Sequence, residues 1–278
     1  MWRLADLIVI GLNLVVMVCI GVYCARKSKS SDAYFLAGRN MPGWVVGLSM
    51  MATIVSSMTF LATPGFTFSE NWRYVPPLFT YLLASIPGLF LFMPLFRKGN
   101  FQSAYEYLEK RFGTWARLYA GAAFVLFQMF RLGVILYAVC LPIETMTGFS
   151  LPWIIVIFGV LVASYTIAGG LEAVIWTDMI QGFALILGGL ICLPIIFNMV
   201  PGGFEQIIGE AYADGKLSIG STALNFSEKT VWIMVLMHLF HFTQYMCVNQ
   251  MTIQRYAAIK TSKEAKKGIV LSAVTTVM

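Results

Sequence analysis

Runs of about 20 apolar residues recur along nearly the whole chain, each long enough to cross a hydrocarbon core of about 30 Å as a helix. The chain is 59% hydrophobic and only 12% charged, whereas a soluble domain carries about 25% charged residues. A soluble globular protein is excluded, and an all-α polytopic membrane protein is expected. Spans are expected near 5–25, 44–66, 75–96, 117–141, 151–168, 175–199 and 230–254. A further run starts at Gly268 and reaches Met278, about 16 Å of helix, which is too short to cross. The chain therefore reads as truncated.

The distribution of cations sets the expected orientation. Most of the 19 Lys and Arg fall in three loops: Arg26, Lys27, Lys29 and Arg39; Arg97, Lys98, Lys110, Arg111 and Arg117; Arg255, Lys260, Lys263, Lys266 and Lys267. If these loops and the short 169–174 turn are cytoplasmic, the other side holds Arg3, Arg73, Lys216 and Lys229, and the N-terminus lies outside the cell membrane. The net charge of +6 is then a topology signal and not a nucleic-acid patch. The first span leads into Tyr23-Cys24-Ala25-Arg26-Lys27 and not into a cleavage site, so it reads as a retained helix. All five cysteines lie in apolar runs with no CxxC pair, which suggests neither a disulfide framework nor a zinc site. The polar stretch from about Pro201 to Lys229 reads as an external loop with a short helix near Phe204 to Ala213.

Within the spans, polar residues mark places where chemistry is expected. The second span reads Ala52-Thr53-Ile54-Val55-Ser56-Ser57-Met58-Thr59, with Pro64-Gly65 further on. Such a span is expected to break and present carbonyls and half-helix ends, unless its hydroxyls bond back to their own helix. The span Val231 to Gln254 carries His238, His241, Thr243, Gln244, Asn249 and Gln250 and must face protein or water. Its two histidines share a face but lack a third ligand nearby, so they read as packing residues and not as a metal site. Arg131 sits far from either end of its span, where an unpaired charge is costly. It requires either a bound carboxylate, which its fork fits, or backbone carbonyls and water. Asp178 at the start of the sixth span is either a helix cap or an ion ligand. Gly43 and Gly47 have the spacing of close helix packing, and Gly169-Gly170 marks a tight turn. No nucleophile motif, phosphate loop or paired carboxylate is visible, so no enzyme is expected.

Four stretches fall in order: Tyr34-Phe35-Leu36-Ala37-Gly38-Arg39; Ser103 to Phe112 (SAYEYLEKRF); Gly169 to Asp178 (GGLEAVIWTD); and Asn249-Gln250 to Gln254-Arg255. With them the whole chain resembles the sodium:solute symporter family, and within it the bacterial sialic acid transporters. The resemblance implies a leucine-transporter-type fold of two inverted five-helix repeats preceded by one extra helix. In that frame 1–278 is one transmembrane transporter domain, incomplete, with 5–25 the extra helix, 44–199 the first repeat and 230–278 the start of the second. The breaks near 52–59 and 242–250 become the first helices of the two repeats. The resemblance also implies a sodium ion on the carbonyls of Ala52 and Val55, with Asp178 near a second sodium. Substrate contacts are implied at Ser56, Thr59, Arg131 and Tyr74, with Gln244 and Tyr245 as pocket or gate residues. Where the sialic acid branch has a hydroxyl and an amide on the sugar, this chain has Ile54 and Leu78, which would leave substrate hydroxyls unpaired and suits a smaller or less polar acid.

The expected activity is sodium-coupled symport of a small organic solute, a carboxylate such as a sialic acid or related sugar acid, by alternating access, with membrane lipid as the surrounding partner. The alternatives are a symporter for a neutral sugar or amino acid and the transporter-like sensor module of a larger signalling protein. A channel is weaker, because no ring of like charges or filter motif is visible.

Overall fold

Only helices and closed barrels satisfy every backbone polar group inside lipid, and the apolar runs of this chain fold as helices. The structure, a computed structural model, describes residues 4–99, 101–225 and 227–278. Arg3, counted above among the outer charges, lies outside the described residues. The first helix, α1 (Leu4–Lys27), ends on Arg26 and Lys27, cations that favour a helix C-terminus, and its side packs along α10. A short helix, α2 (Ser31–Leu36), begins where the Ser30 side chain accepts the Ala33 amide.

The second span is broken, as expected, into α3 (Gly43–Ile54) and α4 (Ser57–Glu70). It runs on past its expected end at 66. A tight turn over Asn71–Tyr74 then leads into α5 (Val75–Leu78), α6 (Thr80–Pro87), a π-type turn over Gly88–Phe92 and α7 (Met93–Lys98). Pro87 supplies no amide to the helix ladder, and the π-type turn follows it directly. Next come α8 (Ala104–Phe112), capped by the Ser103 side chain, and α9 (Thr114–Thr147).

The fifth and sixth spans form α10 (Leu151–Met199), 49 residues long. Straight, it would reach about 74 Å, more than twice the hydrocarbon thickness. It is divided at Gly170, with φ 63° and ψ −159°, a backbone state essentially reserved for glycine. The expected 169–174 turn therefore shrinks to one residue. A Cβ at Gly170 would lie 2.7 Å from the Tyr34 carbonyl, and the Tyr34 hydroxyl donates to the Ile167 carbonyl at 2.8 Å. This close approach explains why the two motif stretches carry these residues.

A short helix, α11 (Gly203–Ala213), occupies the polar stretch as expected. Beyond it, α12 (Val231–Cys247) and α13 (Gln250–Ala258) meet at 44°, and α14 (Ser262–Val277) starts on a Thr261 cap. The break falls at 248–249, while 242–247 remains helical, which narrows the expected interval. The Gln244 carbonyl accepts from both Val248 and Asn249, and the Asn249 side chain accepts the Met251 amide, so the loosened ends of both helices are satisfied.

Val46 and Met50 of α3, Tyr81 of α6, Met246 of α12, Tyr256 of α13 and Ile269 of α14 form the buried core. At the second break the Tyr256 hydroxyl donates to the Met246 carbonyl at 2.6 Å, and at the far end of α13 Arg97 donates to the carbonyls of Tyr256 and Ile259 at 2.6 and 2.7 Å. By contrast, α9 leaves Phe127, Phe130 and Val134 more than 60% exposed, an apolar face of the kind that lipid or further helices cover.

Candidate functional site

The break between α3 and α4 is produced by a reciprocal cap. Ser56 Oγ accepts the Thr59 amide at 3.3 Å, while the Ser56 amide turns to Thr59 Oγ1 at 3.5 Å. In an unbroken helix those two amides would bond the carbonyls four residues earlier, those of Val55 and Ala52. The capping box thus frees the two carbonyls singled out as sodium ligands. Ser56→Ala removes the acceptor of one cap bond and is expected to cost about 1 kcal/mol, read as a lowered thermal unfolding midpoint of the detergent-solubilised protein.

Ala52, Val55, Ser56 and Asp178 line one cavity of about 680 Å3, together with Tyr165 and Gln181. Asp178 lies eight residues past the Gly170 break, well inside the helix. The capping alternative for it is therefore corrected: the helix starts earlier than hydropathy suggests. Its carboxylate pairs with Arg255 at 2.6 Å and accepts from the Ser49 hydroxyl at 3.0 Å.

Arg255 also corrects the sequence reading, which counted it among loop cations. It is 4% exposed and sits inside α13. Charge alone assigned it to the loop. The signal that could have found it is the pairing of Asp178 with Gln254-Arg255 as motif residues, one acidic and one basic, in a chain with few of either.

A second cavity of about 440 Å3 opens beside Arg131, lined also by Ile54, Phe124, Phe127, His241 and Gln244. Among the described residues Arg131 makes no ion pair or hydrogen bond. His238 Nδ1 lies 2.8 Å from the Met234 carbonyl on its own helix, a packing arrangement.

The expected substrate residues are thus divided. Arg131 and Gln244 share the second cavity, Ser56 lines the first, and Thr59 and Tyr74 line neither. Thr59 is exposed and occupied with the cap. Tyr74 follows α4 and packs against Phe66 and, edge-on, against His238, with ring centres 6.0 and 6.4 Å away. The two cavities flank the same break: Ile54 faces one, its neighbour Val55 the other. The arrangement presents freed carbonyls and a carboxylate suited to a small cation on one side, and a guanidinium suited to an anion on the other.

Residues 34–278 match the model of the sodium:solute symporter family. The chain is 35% identical over 263 residues to the sodium/sialic acid symporter SiaT of Proteus mirabilis, covering 94% of this chain and 53% of that protein. It is 33% identical over 259 residues to the sodium/sialic acid symporter NanT of Aliivibrio fischeri, covering 92% and 51%. It is 31% identical over 273 residues to the human sodium-coupled monocarboxylate transporter 1, covering 97% and 45%. A solved substrate-bound, outward-open structure of a Na+-coupled sialic acid symporter superimposes with a TM-score of 0.94 at 30% identity, covering 99% of this chain and 58% of that one. The chain spans about half the length of these relatives.

Proposed function

The chain belongs to the sodium:solute symporter family and has its leucine-transporter-type fold, and from that premise we propose that the whole protein couples sodium entry to uptake of a small organic carboxylate. The observation that carries this reading is the break at 55–56. It frees the carbonyls of Ala52 and Val55, residues that line the cavity holding Asp178, while Arg131 stands across the break with no anion among the described residues. In this reading Ala52 and Val55 hold one sodium and Asp178 serves a second. Arg131 anchors the substrate carboxylate with Gln244 in the same cavity, while Ser56 and Thr59 shape the break beside it and Tyr74 packs on His238 of the same helix as Gln244.

The protein sits in the cell membrane with its N-terminus outside, so each sodium charge moving inward contributes about 2.3 kcal/mol per 100 mV. Sodium on the freed carbonyls orders the break, and the solute then meets a formed pocket. The printed names of the relatives supply two candidate classes, sialic acids and monocarboxylates. The second cavity sets Ile54, Phe124 and Phe127 opposite polar His241, Gln244, Tyr245 and Asn249, so it can pair some substrate hydroxyls, and the aliphatic Ile54 wall is what favours the less hydroxylated acid.

The test is uptake of labelled carboxylates into vesicles carrying the full-length protein, under an inward sodium gradient or an equal choline gradient. Sodium-dependent accumulation of an acid, and no accumulation of its amide, is the expected result. Equal uptake under both gradients overturns the symport reading.

A further inference from the structure

Arg255 donates from all three guanidinium nitrogens within the protein: Nη2 to Asp178 Oδ2 at 2.6 Å, Nε to Ser49 Oγ at 3.0 Å and Nη1 to the Met251 carbonyl at 3.1 Å. Ser49 in turn donates its hydroxyl to the same Asp178 oxygen. The cluster ties together three elements: α3, the first half of one broken span; α13, the second half of the other; and α10 beyond Gly170. The two partners differ in access. The Arg255 side chain is 5% exposed, whereas that of Asp178 keeps 23% and lines the cavity shared with Ala52 and Val55.

One carboxylate carries one negative charge, and Arg255 already neutralises it. A sodium ion arriving through the cavity needs that same charge, and a guanidinium within bonding distance of the carboxylate repels the ion. We propose that Arg255 is a tethered cation that competes with sodium for Asp178. Without sodium, Arg255 compensates the carboxylate and clamps α3 and α13 to α10. With sodium on Asp178, the guanidinium is released and the clamp opens.

The inference rests on the sodium reading of Asp178 given above. It supplies what that reading lacks, a physical link from ion to helix. Sodium affinity is reduced by the work of releasing Arg255, so binding at the ion site and movement of the broken helices share one coupling free energy. It also gives the sodium-free protein a compensated carboxylate, so that the empty carrier returns without an unpaired buried charge.

The experiment measures the sodium dependence of solute uptake in vesicles with full-length wild type, Arg255→Met and Arg255→Lys, together with sodium-dependent thermal stabilisation in detergent. With the competitor gone, half-saturating sodium is expected to fall about tenfold in Arg255→Met, within the usual range for coupled sites. In Arg255→Lys it should fall about two- to threefold, because lysine keeps the charge but loses the fork that holds Ser49 and Asp178 together. Net uptake should drop in Arg255→Met while sodium-dependent solute exchange persists, since only return of the empty carrier needs the tethered cation. A purely structural arginine would lower all transport without tightening sodium. Unchanged or raised half-saturating sodium in Arg255→Met overturns the proposal, and if that variant does not fold, the same result in Arg255→Lys does so. A wild type whose uptake ignores sodium overturns the symport reading itself, and this inference with it.

Discussion

Arg131→Ala is expected to abolish carboxylate uptake at working solute concentrations while leaving the yield of folded protein unchanged. Among the described residues Arg131 has no ion-pair or hydrogen-bond partner, and it lines a cavity with Ile54, Phe124 and His241. If a substrate carboxylate takes that guanidinium, truncation removes a desolvated charge-assisted contact worth about 2–5 kcal/mol, roughly thirtyfold or more in half-saturating solute. No protein carboxylate is stranded by the change, so the usual penalty for breaking a buried pair, about 3–5 kcal/mol, does not arise. Asp178→Asn provides the contrast, because it strands Arg255 in α13 and should lower stability as well as transport. Arg131→Lys separates charge from geometry: it keeps the cation and loses the bidentate fork, so recovery should be partial. Paired measurements of uptake and thermal midpoint decide the matter. Full uptake in Arg131→Ala would make the arginine a structural residue and return the neutral-solute alternative to first place.

The breaks were legible in the sequence because they are local. A serine and a threonine three apart have the means for a reciprocal cap, and Ser56 and Thr59 make one here, whereas Ser272 and Thr275 at the same spacing stay inside α14 with the Thr275 hydroxyl bonded back to the Leu271 carbonyl. Asn249 likewise caps α13 from its own position. The division of the site into two cavities also has a local origin. At 100° per residue Ala52, Val55 and Ser56 share a face, and Ile54 points the other way. What no local reading supplies is the partner of Asp178. Arg255 is 77 residues away in sequence and Ser49 is 129, and burial of Arg255 depends on α3, α10 and α13 meeting around it. Hydropathy assigns a lone arginine near a span end to the loop, and here the fold overrides that assignment.

Gly47→Leu is expected to leave no folded protein, and Gly47→Ala to lower stability by about 1–3 kcal/mol, because the contact it blocks is backbone on backbone. A Cβ at Gly47 would stand 2.5 Å from the Gly268 carbonyl oxygen, and one at Gly268 would stand 2.5 Å from that of Gly43. At Gly43 a Cβ would run into the Glu264 backbone in the same way. No rotamer change relieves such a clash, so α3 and α14 must move apart, taking buried Val46, Met50 and Ile269 with them. Gly11→Ala is the matched control: nothing lies within 4 Å of its added Cβ, and helix propensity favours alanine by about 1 kcal/mol. Thermal midpoints of Gly47→Ala and Gly11→Ala in one detergent, with the yield of folded Gly47→Leu, compare the effects directly. The result bears on mechanism as well as stability, because α3 carries Ala52 near the break and Ser49 in the Arg255 cluster. If the glycine contact fixes α3 to α14, the two helices travel together when the site changes its access, and movement is taken up at 55–56 and at the cluster. A Gly47→Ala protein as stable as wild type would mean that α3 slides freely on α14, and the break would then no longer be where motion concentrates.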